Sequence, residues 1–388
     1  MCFLKIKQQI IDIQKHFKDY SLNGSLWIVN LLPRLMGFNL RADKVGVFFW
    51  TIYILLLVYV FGIGIFVYLW KHVDTMSGLM KSYLNLSLIL VIVNNSCWFL
   101  SKRSLLNKVL KKIHLIEDLS CESEHALAKY RRVFKIVTHL LLASYVLFYF
   151  TEIYFMFLFR NYDLLEDYSL APCVGLEPLS SSPNSEICLI IVLIHEFIST
   201  TVMMSFAALF LVLIAHTAVM FLVLAEDMTK LTDLINLADH RKMIRESLRS
   251  LIHRHSLLLQ IVYELRLLYS VPLGINFISN AMSILVLLCL PIHEWPSFLH
   301  IIGYCFFAFF LYCFLGQNVI NASEKFIDAI YCCGWEHFGV AEKKLVHVML
   351  RQAQKPVEII ALGMISVNMN TYVEALQLIY KFVTVLKI

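Results

Sequence analysis

The sequence predicts an all-α membrane protein with seven transmembrane helices, an N-terminus in the cytoplasm, a C-terminus outside the cell, and cytoplasmic helical extensions forming an anchor domain. Three observations predict it. Hydrophobic residues are 59% of the 388 and charged residues 16%, with a mean hydropathy of +0.72. A soluble domain holds roughly 45–50% apolar and about 25% charged residues, and its core has no room for the excess. Val45 to Trp70 runs for 26 residues without a formal charge, more than the about 20 that cross hydrocarbon as a helix. The 33 Lys and Arg residues divide 28 to 5 between alternate sides of the apolar segments, and basic residues flanking spans stay cytoplasmic.

Residues 1–44 carry seven of the basic residues and read as a cytoplasmic N-terminal segment. Their start, Met1-Cys2-Phe3-Leu4-Lys5, offers no short apolar run with a small-residue cleavage site, so the first span directs insertion itself. Spans are expected at 45–70, 78–100, 136–159, 187–217, 267–293, 297–317 and 359–386. The connection after the third span, 160–186, is acidic and rich in Pro, Ser and Gly, which reads as an irregular outer cap. After the fourth span, Leu231, Leu234, Ile235 and Ala238, then Leu248, Leu251 and Ile252, recur three and four apart among charges, so that span continues into the cytoplasm as a helix. The same pattern in Phe326, Ile327, Ile330 and Tyr331, and in Leu345, Val346, Met349 and Leu350, marks anchor helices over 318–356. Their apolar faces need partners from this chain or from others. Transmembrane helices 1 to 6 thus fill 45–317, and the last span fills 357–388.

Cysteine usage follows the same sides. Cys2, Cys121, Cys332 and Cys333 fall in cytoplasmic stretches, where thiols stay reduced. Of the ten cysteines, only Cys173 and Cys188 fall outside the membrane on the outer side. Their proximity permits a disulfide, whose geometry the sequence does not give.

The last span is the most polar. Ser366, Asn370, Glu374, Gln377, Lys381 and Thr384 recur three and four residues apart and so share one helix face. Such groups in hydrocarbon cost on the order of a few kcal/mol each and turn toward a bundle interior or water. One reading is a polar seam against neighbouring helices. The other is an aqueous pathway bordered by Asn370, Glu374, Gln377 and Lys381, with Val383 and Leu386 as an apolar constriction near its outer end.

A second constellation lies in the outer half of spans 3 to 6. Tyr145, Phe148, Tyr149 and Glu152 share a face of span 3, and Glu196, Thr200, Met203 and Met204 a face of span 4; Asn276 and Asn280 follow in span 5, Tyr304 and Phe306 in span 6. A single aromatic in a bundle is ordinary packing. Together they describe aromatic walls with few polar groups, which suit a small, largely apolar ligand. The lining candidates are Tyr145, Phe148, Tyr149, Glu152, Glu196, Thr200, Met204, Asn280 and Phe306.

Other function classes find no support in the residues. No Gly-rich phosphate loop, His-Glu-x-x-His or Gly-x-Ser-x-Gly occurs, so neither an enzyme nor a cofactor is expected. His139, His195 and His216 lack metal-ligand spacing, and basic residues do not interleave with aromatics as on a nucleic-acid surface. The net charge of +5 fits loops facing anionic lipid. A G-protein-coupled receptor is the competing class. The charge bias is reversed for one, and neither an Asp-Arg-Tyr after span 3 nor an Asn-Pro-x-x-Tyr in the last span is present.

The C-terminal third resembles the insect odorant receptor family. The resemblance is carried by Ser323, Ala329-Ile330-Tyr331, Trp335, Lys343-Lys344, the run Arg351-Gln352-Ala353-Gln354-Lys355-Pro356, and Tyr380-Lys381-Phe382-Val383-Thr384-Val385-Leu386. It departs at Lys381, where relatives more often hold a small or polar residue. What the resemblance implies is an odorant-binding subunit of a tetrameric odorant-gated, non-selective cation channel in the plasma membrane. That subunit would bind a small volatile ligand and assemble with the odorant receptor co-receptor, its cytoplasmic helices forming the inter-subunit anchor and its last span lining the pore. The compact connection between spans 4 and 5 resembles the tuning subunit rather than the longer co-receptor. Gustatory receptors of the same superfamily are the nearer alternative. Thr371-Tyr372 and Gln377-Leu378 differ from their last-span motif by one residue of spacing and a terminal Leu.

Overall fold

The structure, a computed structural model, describes residues 17–40, 46–72, 74–120, 124–158, 173–178, 181–236 and 240–386. Among them run α1 (Leu22–Met36), α2 (Val47–His72), α3 (Met76–Ser101), α4 (Arg103–Ser120), α5 (Glu124–Leu158), α6 (Asn184–Thr229), α7 (His240–Cys289), α8 (Leu299–Tyr331), α9 (Val340–Ala353) and α10 (Met369–Leu386). Helices α2, α3, α5, α6, α7 and α8 are long and apolar enough to cross a membrane, and the chain is a multi-pass membrane protein. The last helix, α10, spans 18 residues and carries Glu374 and Lys381. Most of the loop expected at 160–186 lies outside the described residues.

Helix α6 is the hub. It is apolar all round, and every residue from Thr201 to Phe221 is buried, as expected of a helix with no polar face. Helices α8, α5, α1 and α7 pack around it. Helix α1 was expected only as part of a cytoplasmic segment. The Ser21 side chain accepts from the Gly24 amide at 3.1 Å and caps its start, while Gly37, in the left-handed region at φ 104°, closes its end.

Helices α5 to α8 run far past their apolar stretches; α7 has 50 residues, about 75 Å of helix against a hydrocarbon core of about 30 Å. The overhangs gather with α9 at one end of the bundle. Ion pairs tie them there: Arg254 to Asp227 at 2.8 Å, Lys129 to Glu226 at 3.1 Å, Lys112 to Glu264 at 2.9 Å, and Arg245 to the buried Glu342 at 2.7 Å. Leu234, Ile235 and Ala238, expected on one of these apolar faces, have side chains outside the described residues.

Pro272 inside α7 has no N–H for the carbonyl of Leu268. The Trp98 indole of α3 donates to that carbonyl instead, at 2.9 Å. Nearby, Asn94 donates to the Pro272 carbonyl at 2.9 Å and to Asn276 at 2.8 Å, and Asn276 donates to Asn95 at 3.1 Å. The α3–α7 contact is therefore a polar seam that re-satisfies a broken helix in place of water.

The last span differs from its expected bounds. Residues 359–368 are not helical; they fold as a hairpin of β1 (Ile360–Ala361) and β2 (Ile365–Ser366), with Ile360 opposite Ser366. Leu362 and Gly363 make the turn at φ 51° and 72°, and a leucine in the left-handed region costs about 1 kcal/mol. The hairpin is clamped on α7: the Leu362 amide donates to the Ser270 carbonyl at 2.9 Å and the Gly363 amide to Ser270 Oγ at 3.1 Å. A Cβ at Gly274 would collide with the Leu362 side chain, and one at Gly316 of α8 with the Val367 carbonyl. Two glycines thus let the approach to α10 press into α7 and α8.

Candidate ligand pocket and outward polar face

A cavity opens between α2, α3, α5, α6 and α8, midway along α2 and α3. Its atom-free space is about 610 Å³, open solvent at the mouth included, and its walls include Phe148, Glu196, Thr200, Met204 and Tyr304. Phe61, Leu88, Ile92, Thr151, Ser199, Met203 and Ile301 complete them. Helical spacing explains the α6 set: Glu196, Ser199, Thr200, Met203 and Met204 fall at steps of three, one, three and one along a single face. The walls are aromatic and aliphatic, and polar atoms enter from Glu196, Ser199, Thr200 and Thr151.

Beside the pocket, the buried His195 lies with Nδ1 3.4 Å from Glu196 Oε1 and Nε2 3.3 Å from Ser199 Oγ. The Phe61 ring meets its imidazole edge-on at 4.7 Å. His195 thus orients two of the pocket's polar groups. Two methionines add unbranched, polarisable walls that adapt to differently shaped ligands.

Four of the expected lining residues, Phe148, Glu196, Thr200 and Met204, meet at this cavity. Four do not. Tyr149 turns to α6, where its hydroxyl bonds Thr201 Oγ1 at 2.6 Å and its ring stacks on Phe197 at 5.9 Å. Tyr145 is buried one turn deeper, Asn280 belongs to the α3–α7 side of α7 and is buried there, and Phe306 packs half-buried against the core. The side chain of Glu152 lies outside the described residues. Phe61, Leu88 and Ile92 were missed, since an apolar residue in an apolar span carries no mark of facing a cavity rather than lipid.

Cys173 and Cys188 are bonded to one another, with Cα atoms 5.6 Å apart. The segment so held docks on α2, where the Tyr59 hydroxyl donates to the Val174 carbonyl at 3.1 Å.

Helix α10 presents two faces. Ile379 is 6% exposed, and Tyr372, Ala375, Leu376 and Val383 pack with it against the core. Tyr372 meets Phe309 at 5.2 Å and Phe310 at 5.7 Å on α8. The opposite face carries Asn370, Glu374, Gln377, Lys381 and Thr384, all exposed, flanked by Leu378 and Tyr380 at 66% and 72% exposure. The stripe is therefore not a seam within this chain. Val383 corrects the expected constriction: half a turn from the stripe, it faces the subunit's own core. The side chain of Leu386 lies outside the described residues. Ser366 sits in the hairpin rather than on the helix, its carbonyl accepting from the Thr371 hydroxyl at 2.6 Å.

The sequence profile of the 7tm Odorant receptor family matches residues 75–380. Among curated proteins the chain is similar to Odorant receptor 85f of Drosophila melanogaster, 22% identical over 162 residues, 39% of this chain and 41% of that one. It is also similar to the Odorant receptor coreceptor of Aedes aegypti, 23% identical over 151 residues, 37% of this chain and 31% of that one. The alignments thus span less than half the length of these relatives. Among solved structures, the insect olfactory receptor OR5 from Machilis hrabei has a similar fold, with TM-score 0.75 and 14% identity over 92% of this chain and 96% of that one. The same receptor in complex with eugenol gives a TM-score of 0.69 at 14% identity over 93% of this chain and 97% of that one.

Proposed function

Because the chain belongs to the 7tm Odorant receptor family, a family of receptors and not of enzymes, we propose that it is the odorant-binding subunit of an odorant-gated cation channel. It works in the plasma membrane, assembled with the odorant receptor co-receptor, with its N-terminus in the cytoplasm and its C-terminus outside. The observation that carries this reading is the α10 stripe, charged and turned away from the chain's own core. A helix in lipid does not keep such a face toward hydrocarbon. Set around a shared axis, Asn370, Glu374, Gln377 and Lys381 border a water-filled path and set its local potential.

Ligand and path communicate through α8. Tyr304 lines the pocket, and Phe309 and Phe310, further along the same helix, press on Tyr372 of α10. A small volatile molecule that binds one arrangement of α8 better than another shifts the population of α10 positions by its difference in affinity. The hairpin clamped to α7 and α8 gives that displacement a fixed fulcrum. Assembly is supported at the other end of the bundle, where Tyr331, Trp335, Val340 and Val348 leave an apolar groove exposed, a face that calls for a neighbouring subunit.

The test is whole-cell current in cells expressing this chain alone, a co-receptor alone, or both, during a panel of small volatiles that includes eugenol. An agonist-evoked cation current that needs both chains is expected. A response carried by G-protein signalling with no agonist-gated conductance would contradict the reading.

A further inference from the structure

On the lipid side of the pocket, α2 and α3 splay to leave a second, largely apolar groove whose lining includes Ile65, Phe66, Leu79, Leu86 and Ile89, with Ser82 and Tyr83 as its polar members. Phe66 and Leu86 are 66% and 48% exposed on spanning helices, so the groove opens to acyl chains. Among the described residues, a single side chain lines both this groove and the ligand pocket: Phe61, itself 3% exposed. Phe61 sits in a π-helical turn, Val58–Ile63, in the middle of α2, a wider and weaker winding that recurs where helices do work. Its neighbour Gly62 leaves room beside it, since a Cβ there would meet only Val58 Cγ1 at 3.8 Å.

We infer that the α2–α3 groove is a vestibule through which a small apolar ligand, first dissolved in the membrane, reaches the pocket past the Phe61 ring. The inference rests on the proposed ligand pocket and adds the route to it. Three observations select this ligand as occupant. The groove adjoins the pocket with one aromatic ring between them. Its Ser82 hydroxyl is turned to the Gly78 carbonyl at 2.8 Å, so that beside Tyr83 the lining is aliphatic and aromatic. Molecules that suit a mostly apolar pocket also concentrate in lipid, by the same burial of apolar surface. The Phe61 ring, packed edge-on against His195, is the barrier that a ligand on this route displaces.

Obstructing a path slows arrival and departure alike and leaves the equilibrium untouched. The full chain, reconstituted with its co-receptor in phosphatidylcholine nanodiscs, is mixed with a short aliphatic alcohol bearing a diazirine and flashed at increasing delays. Labelling of the 196–204 stretch is then read by mass spectrometry. Leu86→Trp fills the groove, while Leu90→Trp, on the same helix, exposed and outside the groove, is the control. Leu86→Trp is expected to slow pocket labelling about fivefold with an unchanged plateau, and Leu90→Trp to match wild type. Equal rates in all three overturn the route and leave the groove to lipid. A lower plateau at unchanged rate in Leu86→Trp also overturns it, marking a binding effect instead. No labelling of 196–204 in the wild type overturns the pocket and the route together, whereas equal rates overturn the route alone.

Discussion

Thr200 and Tyr149 separate binding from packing at the level of single side chains. Thr200 lines the cavity, and the Tyr149 hydroxyl is spent on Thr201 at 2.6 Å. Thr200→Val keeps the shape and removes the donor, so agonists with a hydrogen-bonding group should lose about 0.5–1.5 kcal/mol, a shift of about 2- to 12-fold in half-maximal dose. Tyr149→Phe should leave the agonist rank order unchanged. Dose–response curves at matched surface expression decide it, and a shift with Tyr149→Phe but none with Thr200→Val would move the site off this face. Spacing alone put Phe148, Glu196, Thr200 and Met204 on shared faces. It did not fix how far each helix is rotated about its axis, and one residue is about 100° of rotation. That rotation sends Tyr149 to Thr201 and leaves Phe148 in the cavity.

Helices α7 and α9 meet through the Arg245–Glu342 pair. Glu342 is buried, and the hydrogen bond from the Arg245 guanidinium, with a backbone hydrogen bond, holds its carboxyl below the ordinary carboxylate range. A lowered folded-state pKa stabilises the fold above the unfolded value of about 4.3, and that contribution is lost as pH falls through the folded value. The thermal unfolding midpoint of the solubilised protein should therefore fall more steeply with acid below about pH 4.3 in wild type than in Glu342→Gln. Equal slopes would mean that the pair does not hold α9. Arg245→Met, which removes the hydrogen bond to a buried carboxylate while leaving Arg241 near it, should cost about 1.5 kcal/mol at neutral pH. At this scale the sequence was legible wherever periodicity was unbroken, as in Leu345, Val346, Met349 and Leu350 of α9. By contrast, at the residues expected to continue span 4, Leu231 onward, the chain leaves α6 at Thr229 for a 3-10 turn, and Leu248, Leu251 and Ile252 belong to α7. Nor was the sequence legible at residues 359–368, where apolar composition continues the last span but Leu362, Gly363 and the clamp to Ser270 turn the backbone into a hairpin. Helix α1 was hidden for a related reason, since its short apolar face reads like any amphipathic stretch until α6 covers it.

For the whole molecule, composition and the 28-to-5 charge split gave the class because a bilayer imposes them on any chain that crosses it. What a single sequence withheld is the direction of the α10 stripe. Three- and four-residue steps make a polar face, but only packing of Ile379, Tyr372 and Val383 against the core turns that face outward. The central claim is that this outward face meets permeating ions. The most direct measurement is the reversal potential of the agonist-evoked current under bi-ionic conditions, with wild-type or Glu374→Gln chain expressed beside wild-type co-receptor at matched surface levels. A shift of the reversal potential with Glu374→Gln, graded because other subunits supply the rest of the ring, is the predicted result. Identical reversal potentials and identical block by divalent cations would contradict it, and would make the α10 stripe a contact surface between subunits rather than the wall of the path.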